Sequence, residues 1–323
     1  MGFFDRTMNR YYYGKSGKGD FKESDLPATR WQLFWEMLRI RFSALIRLNL
    51  MYVISWLPAI IVIYLLVVGS LTMMMNEEIA TAEQVLALQQ TLQSSLFTSL
   101  VLLVPCIAIT GPFTAGVSYV TRNWARDEHA FIWSDFKDAV KANWKQSLVI
   151  STITGFVPLL VYLGWTFYGG LAETNRLMLL PQILILFIGL TWALSVTYMH
   201  PLIVTYDLKL KDVIRNAFIL GLGKLPVSVA IRLLHSLPIL LGAALMFLVN
   251  PTYVLLGLFL YYLLFGFSLS RFITASWTNS VFDKVINQHI AGARVNRGLR
   301  EADPDEEDGE DDEDDEGNGD GQS

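Results

Sequence analysis

Five long stretches without a charged residue constrain this chain more than any other feature. They cover residues 48–75, 84–121, 146–172, 177–206 and 233–270, the last one if its histidine is neutral. A helix needs about 20 mostly apolar residues to cross a bilayer. The fifth stretch is too long for one helix, and Asn250 with Pro251 marks a turn in its middle. We therefore predict an all-α integral membrane protein. Its six transmembrane helices are expected at about 49–71, 98–120, 148–170, 178–200, 227–249 and 252–271.

The basic residues indicate how these spans are oriented. Of the 25 Lys and Arg residues, 24 lie in 1–47, 122–145, 209–232 and 271–300. The connections between these segments hold only Arg176. Because basic connections stay on the cytoplasmic side of a membrane, we predict that both termini are cytoplasmic.

The composition argues against a soluble enzyme and against a disulfide-rich secreted domain. Hydrophobic residues make up 53% of the chain and charged residues 17%, and there is one cysteine. Residues 301–323 hold 14 of the 30 acidic residues and cannot bury apolar surface. We predict a flexible basic leader over 1–30, a membrane domain over 31–290 and a disordered acidic tail over 291–323. The tail is interpreted either as a partner-binding arm or as a solvating extension.

A basic, aromatic and amphipathic segment precedes each odd-numbered span, at 31–42, 131–144 and 208–218. Such a segment lies in the membrane interface, with its rings toward the acyl chains and its lysines near anionic headgroups. We therefore predict interfacial amphipathic helices on the cytoplasmic side. The residues expected to face lipid are Trp31, Trp35, Trp133, Trp144, Lys137 and Lys141.

The odd-numbered spans also share a proline in mid-helix, Pro58, Pro158 and Pro238. Together with the preceding amphipathic segments, these prolines favour a threefold helical-hairpin repeat of interfacial helix, span, turn and span. Internal repeats are common in membrane transporters. Residues 76–95 fit either a short amphipathic helix or an extension of the second span.

The Gly-Pro-Phe-Thr-Ala-Gly sequence at 111–116, followed by Asp135, Phe136 and Lys137, resembles the YesL-like family of bacterial integral membrane proteins. The Met-Gly-Phe-Phe start and Asn49 resemble it too. This family is built on domain of unknown function 624. The resemblance covers residues 30–290 and implies a bacterial cell membrane. It also implies a link to carbohydrate uptake, because some members are encoded beside genes for carbohydrate uptake and breakdown. The resemblance does not indicate which reaction, if any, the protein catalyses.

Two groups inside the spans are candidate functional residues. Gly111, Pro112 and Gly116 fit either a broken helix that lines a ligand pathway or a kinked packing joint. Arg232 and His235 lie three positions apart on one face of span five. Ionisable residues inside a membrane often have a function, so this pair fits a substrate or proton site. Alternatively, Arg232 extends toward the headgroups.

Other polar residues receive structural interpretations. Asn49 and Asn123 lie near helix ends, where an amide can hydrogen-bond a neighbouring helix. His200, followed by a proline, fits a helix stop or a pH-sensitive hinge. The Asp-Glu-His sequence at 127–129 fits a solvated turn. None of these patterns predicts a catalytic residue, a metal site or a cofactor.

The spans hold no Asp, Glu or Lys, and catalysis needs a base or nucleophile with partners in reach. We therefore predict a non-enzymatic accessory or assembly protein linked to carbohydrate uptake. The alternative is a small transporter or channel-like protein with a polar pathway near spans two and five. The expected partners are a bilayer with an anionic inner leaflet and either a sugar-transport permease or a second copy of the chain. Nucleic acid is not expected.

Overall fold

The computed structural model describes residues 26–76 and 81–300, and within these ranges it contains helices and no strand. Six helices are long and apolar enough to cross a membrane. This confirms the predicted all-α fold with six spans and makes the chain a multi-pass membrane protein. The helices are α1 Arg30–Asn76, α2 Ala82–Trp124, α3 Ile132–Ala172, α4 Leu179–Thr205, α5 Leu210–Gly223, α6 Leu225–Leu245, α7 Pro251–Tyr261 and α8 Phe267–Val285.

Spans one to four are α1 to α4, span five is α6, and span six runs from α7 into α8. The chain turns between spans five and six before Pro251, as the sequence indicates. Residues 1–25 of the predicted leader and the acidic residues 301–323 lie outside the described residues.

The first and third spans are much longer than a bilayer is thick. Helix α1 has 47 residues, or about 70 Å at about 1.5 Å per residue. The segments 31–42 and 131–144 therefore form the first turns of α1 and α3 rather than separate interfacial helices. No glycine or proline interrupts the chain there. Only the third segment forms its own helix, α5, because Gly223 and Pro226 mark a break before span five.

Helix α2 begins with a capping box at Thr81. The Thr81 side chain accepts a hydrogen bond from the backbone nitrogen of Gln84 at 3.3 Å, and the Gln84 side chain accepts one from the Thr81 backbone nitrogen at 3.0 Å. These bonds satisfy donors that a helix start leaves without partners. The helix then continues to Trp124. Residues 82–95 are thus an extension of the second span and not a separate amphipathic helix.

Two buried apolar clusters meet on α8. One joins α1, α2 and α8 and includes Trp124 and Phe272, both almost fully buried. The other joins α3, α4, α5 and α8 and includes Tyr198 and Phe282. Because α8 contributes to both clusters, it couples the two halves of the bundle.

The most extensive helix–helix contact joins α2 to α3. In the predicted repeat, these spans belong to different units. Pro58, Pro158 and Pro238 lie inside α1, α3 and α6 without ending them. The threefold repeat itself stays a prediction.

Span six widens into a π-helical turn at Tyr262–Gly266, between α7 and α8. Such a turn disturbs the regular backbone hydrogen bonds of a helix. The buried Asn49 of α1 donates to the carbonyl oxygens of Tyr262 at 2.9 Å and Leu263 at 2.8 Å. Its amide oxygen accepts a bond from the backbone nitrogen of Ser268 at 2.8 Å. One side chain therefore satisfies three backbone groups of span six, which is the helix-bonding role predicted for Asn49.

Candidate functional site

Charged and amide side chains from several helices converge at one end of the bundle, which we call the basic end. It is formed by the start of α1, the end of α2 with the turn after it, the connection between α4 and α5, and the end of α8 with residues 286–300. The hydrogen bonds and ion pairs of this end are called the basic-end network.

Asp283 of α8 is the centre of the network and is only 6% exposed. Its carboxylate forms an ion pair with Arg30 at the start of α1. It also accepts hydrogen bonds from the Asn287 side chain at 2.6 Å and from the backbone nitrogen of Asn296 at 3.2 Å. A buried carboxylate is stable only when it is paired and hydrogen-bonded, and Asp283 meets both conditions. It ties the segment after α8 to the first helix.

The end of α2 is tied to two further spans. The Arg122 guanidinium bonds the Asn123 side-chain oxygen at 3.1 and 2.8 Å and also donates to the carbonyl oxygen of Val204 in α4. The Asn279 side chain of α8 donates to the Arg122 carbonyl oxygen at 3.4 Å. Arg122 therefore links α2 to α4 and α8, whereas the Asn123 side chain bonds Arg122 of its own helix rather than a neighbouring helix as predicted.

Residues 291–300, which the sequence assigns to the tail, contact this end as well. Arg297 pairs with Glu128 in the turn after α2. The backbone nitrogen of Arg300 bonds the Pro27 carbonyl oxygen at 3.0 Å. Within the turn predicted to be solvated, Asp127 and His129 are exposed, whereas Glu128 is half-buried. The ordered chain thus extends at least to Arg300.

Tyr206, between α4 and α5, completes the network. Its hydroxyl donates to the Asn287 side-chain oxygen at 2.7 Å. Burial raises the pKa of Tyr206 to about 12, against the opposing effect of Arg126. Burial likewise lowers the pKa of the Arg126 guanidinium, and nearby Glu128 opposes that change. The basic end is therefore a partly desolvated polar region.

We expect Tyr206→Phe to change the stability of the protein at alkaline pH. In the unfolded chain a tyrosine ionises near pH 10, whereas Tyr206 in the folded chain does so near pH 12. The stabilisation from the neutral phenol is complete below about pH 10 and is lost as the pH rises through 12. Thermal unfolding in detergent should therefore show a steeper fall from pH 10 to 12 in the wild type than in Tyr206→Phe.

Tyr253→Phe is the matched control for this experiment, because Tyr253 is exposed in α7. Its stability should fall with pH as steeply as that of the wild type. Equal slopes for the wild type and Tyr206→Phe would contradict the burial of the Tyr206 hydroxyl.

The network can hold helix ends together. It joins charges and amides to one another and to backbone groups, so that four spans share one set of bonds. Within residues 26–76 and 81–300, no three His, Cys, Asp or Glu side chains converge as a metal site.

Gly111 and Gly116 mark the closest approach of spans two and three. A Cβ atom at Gly111 would collide with the backbone carbonyl oxygen of Ser147 in α3. A Cβ atom at Gly116 would lie 2.7 Å from the ring of Phe136 and from Val140. Helix α2 runs unbroken through Pro112. This geometry is that of a packing joint, in which small residues let two helices approach closely.

The region around Gly111 and Gly116 also matches a known protein family. Residues 92–165 match the family model described as a protein of unknown function, DUF624. The chain contains a DUF624 domain. This confirms the predicted resemblance to DUF624 over residues 92–165. No curated protein and no solved structure matches the chain.

The DUF624 domain covers most of α2 and α3 and therefore their interface. Several predicted site residues lie inside it. They are Gly111, Pro112, Gly116, Trp133, Trp144, Lys137 and Lys141. Of these, both tryptophans and both lysines are exposed, as are Trp31 and Trp35 of α1. Their exposure is compatible with lipid contact, which stays a prediction.

Arg232 and His235 lie outside the DUF624 domain, on α6. The Nε2 atom of His235 lies 3.0 Å from the carbonyl oxygen of Ser270 and 3.3 Å from the hydroxyl of Thr274, both on span six. Gly111 instead packs on α3. Helices α2 and α6 share no extensive contact among the described residues, so the structure does not bring the two predicted groups together.

The sequence interpretation missed the basic-end network as a unit. Asp283 and Asn287, four positions apart near the end of α8, give a weak local signal that one helix face is polar. Their partners Arg30 and Tyr206 lie far away in the chain. Nothing in the local pattern identifies such pairs.

Proposed function

We propose that this protein is a non-enzymatic accessory or assembly protein of the bacterial cell membrane. The observation that carries the proposal is the basic-end network, which ties α1, α2, α4 and α8 together at one end. A transporter that opened at this end would have to break the partly buried Arg30–Asp283 ion pair and several hydrogen bonds in each cycle. A protein that holds a partner benefits from a surface that is already ordered.

The proposal places the basic end in the cytoplasm. The start of α1, the turn after α2, the connection after α4 and residues 286–300 all lie at this end. These are the segments in which the basic residues are concentrated. Basic connections remain on the cytoplasmic side during insertion, and this supports cytoplasmic termini.

The alternative is a small transporter with a polar pathway near spans two and five. Two grooves bear on this alternative. An apolar groove of about 580 Å³ lies between α3 and α4 and includes Val157, Gly164 and Ile185. A smaller groove of about 330 Å³ lies between α2 and α3 around Gln93 and Tyr162. Neither groove is lined by span five, so neither is the predicted pathway near spans two and five.

The family resemblance suggests which partner to test. Its link to carbohydrate uptake points to a sugar-transport permease. The exposed aromatic side chains at the start of α3 offer a contact surface near the proposed cytoplasmic side, and Trp133 is 66% exposed there. Aromatic residues are enriched among the residues that dominate protein interfaces.

Site-specific photo-crosslinking in native membranes tests this role. We expect a photoreactive amino acid at position 133 to capture a permease subunit that mass spectrometry identifies. Position 180, where Leu180 is 68% exposed at the other end of the bundle, is the matched control. It should not capture the same subunit. Adducts with lipid or with the chain itself alone, at both positions, would contradict the assembly role and favour the transporter.

A further inference from the structure

Four basic side chains from three helices converge inside the membrane domain. His200 lies on α4, Arg232 and His235 lie on α6, and Arg271 lies on α8. The guanidinium of Arg271 is within electrostatic range of the other three groups. We call these residues the intramembrane basic cluster. It is separate from the basic-end network and from the DUF624 domain.

Hydrogen bonds between the helices fix the position of the cluster. His235 bonds to Ser270, the residue before Arg271, at 3.0 Å. The hydroxyl groups of Tyr198 on α4 and Ser228 on α6 lie 3.0 Å apart and join these two helices. Ser228 lies four positions before Arg232 on the same face of α6, so this contact holds that face of α6 against α4.

Among residues 26–76 and 81–300, no carboxylate forms an ion pair with the cluster. The ion pairs of the described residues join Arg30 to Asp283 and Arg297 to Glu128, both at the basic end. Asp283 lies on the same helix as Arg271 but about 18 Å farther along it. Two arginines close together in a medium of low dielectric constant repel each other. An uncompensated charge there is unfavourable, so the cluster requires an anion.

The cluster also contains buried nitrogen atoms that have no hydrogen-bond partner among the described residues. His200 is 4% exposed, and both of its ring nitrogens have no hydrogen-bond partner. The Nε atom of Arg232 is also buried without a partner. Buried polar groups in folded proteins nearly always have partners. An anion with several acceptor oxygens beside Arg232 would accept a hydrogen bond from its Nε atom and neutralise the two arginines.

We propose that the intramembrane basic cluster binds a phosphate group, which an anionic phospholipid of the surrounding membrane supplies. The planar guanidinium of arginine matches the oxygens of a phosphate through two parallel hydrogen bonds. A lipid suits the place of the cluster, because α6 exposes Leu233 and Leu237 on its outer surface. Acyl chains can lie along these leucines while the headgroup reaches Arg232.

The test uses the full chain, purified in an uncharged detergent and freed of lipid. Dioctanoyl-phosphatidylglycerol, dioctanoylglycerol and sodium phosphate are titrated separately, and the thermal unfolding midpoint is followed. A ligand that binds the folded state raises this midpoint. We expect phosphatidylglycerol to raise it and dioctanoylglycerol, which lacks the phosphate, to leave it unchanged. An equal effect of both would overturn the proposal.

Arg271→Gln should need about tenfold more phosphatidylglycerol for the same effect, because it loses a charge-assisted contact. Arg271→Lys, which keeps the charge but not the paired hydrogen bonds, should fall between the two. Arg215→Gln is the matched control, since Arg215 is exposed on α5. It should respond as the wild type does. An unchanged response of Arg271→Gln would overturn the proposal.

Stability without lipid separates binding from a purely structural role. Arg271→Gln removes an uncompensated charge, so without lipid it should be at least as stable as the wild type. An equal loss of stability with and without phosphatidylglycerol would overturn the proposal. If sodium phosphate alone raised the midpoint and the lipid added nothing, the lipid source would be overturned and a site for free phosphate supported.

Discussion

Gly111→Ala is expected to destabilise the protein by about 3 kcal/mol, the upper part of the range for overpacked sites. The added Cβ atom would meet the backbone carbonyl oxygen of Ser147 and lie 2.7 Å from the Ser151 hydroxyl. A backbone atom cannot rotate away as a side chain can, so α2 and α3 must separate. Thermal unfolding of the purified protein in detergent measures the effect.

Gly170→Ala is the matched control for that substitution. Gly170 lies in α3, and a Cβ atom there would have no other atom within 4 Å. Since alanine favours a helix over glycine by up to about 1 kcal/mol, Gly170→Ala should be neutral or slightly stabilising. Equal stability of the two variants would refute the tight packing of spans two and three. It would reopen the interpretation of Gly111 as part of a broken helix that lines a pathway.

The arrangement of spans could be predicted because the membrane imposes it locally. A run of uncharged residues of sufficient length forms a helix wherever it lies in the chain, since every backbone group must be satisfied without water. The turn at Asn250 and Pro251 and the Gly-Pro sequence at 111–112 are local signals of the same kind. Both the six spans and the DUF624 domain followed from such signals.

The polar contacts between helices could not be predicted, because their partners are distant in the chain. Arg30 and Asp283 are 253 positions apart and form a partly buried ion pair. Arg271 directly follows the uncharged stretch 233–270. From the sequence it is therefore interpreted only as a charge at the end of a span. The convergence of α4, α6 and α8 brings it into electrostatic range of Arg232. Periodicity describes one helix face and does not identify the helix opposite.

The lengths of the helices show the same limit. At the segments 31–42 and 131–144 the sequence changes from apolar to amphipathic. This change predicts that a helix ends where each span meets the membrane interface. A helix ends, however, where its sequence interrupts it, and neither segment contains a glycine or proline. Helices α1 and α3 therefore extend through the interface.

Asn49→Leu is expected to destabilise the protein by about 3 kcal/mol, because it leaves three buried backbone groups without their side-chain partner. Each unsatisfied buried group costs about 1–3 kcal/mol, but hydrogen bonds inside membrane proteins average only about 0.6 kcal/mol. Three groups would cost about 3–9 kcal/mol by the first figure and about 2 kcal/mol by the second. The expected loss of about 3 kcal/mol lies at the low end of the first range. The π-helical turn at Tyr262–Gly266 should relax toward a regular α-helix. Thermal unfolding in detergent gives the loss, and hydrogen exchange at 262–268 reports the turn.

Two further variants separate the contributions of Asn49. Asn143→Leu makes the same change at a partly exposed amide, which bonds only the Ala139 carbonyl oxygen in its own helix at 3.0 Å. Its effect should stay within about 0.5 kcal/mol. Asn49→Asp keeps an acceptor for the Ser268 nitrogen but removes the donor to Tyr262 and Leu263. It should be nearly as harmful as Asn49→Leu, because the two carbonyl oxygens lose their donor and face a carboxylate oxygen instead. A stable Asn49→Asp variant would show that the bonds to Tyr262 and Leu263 contribute little to stability.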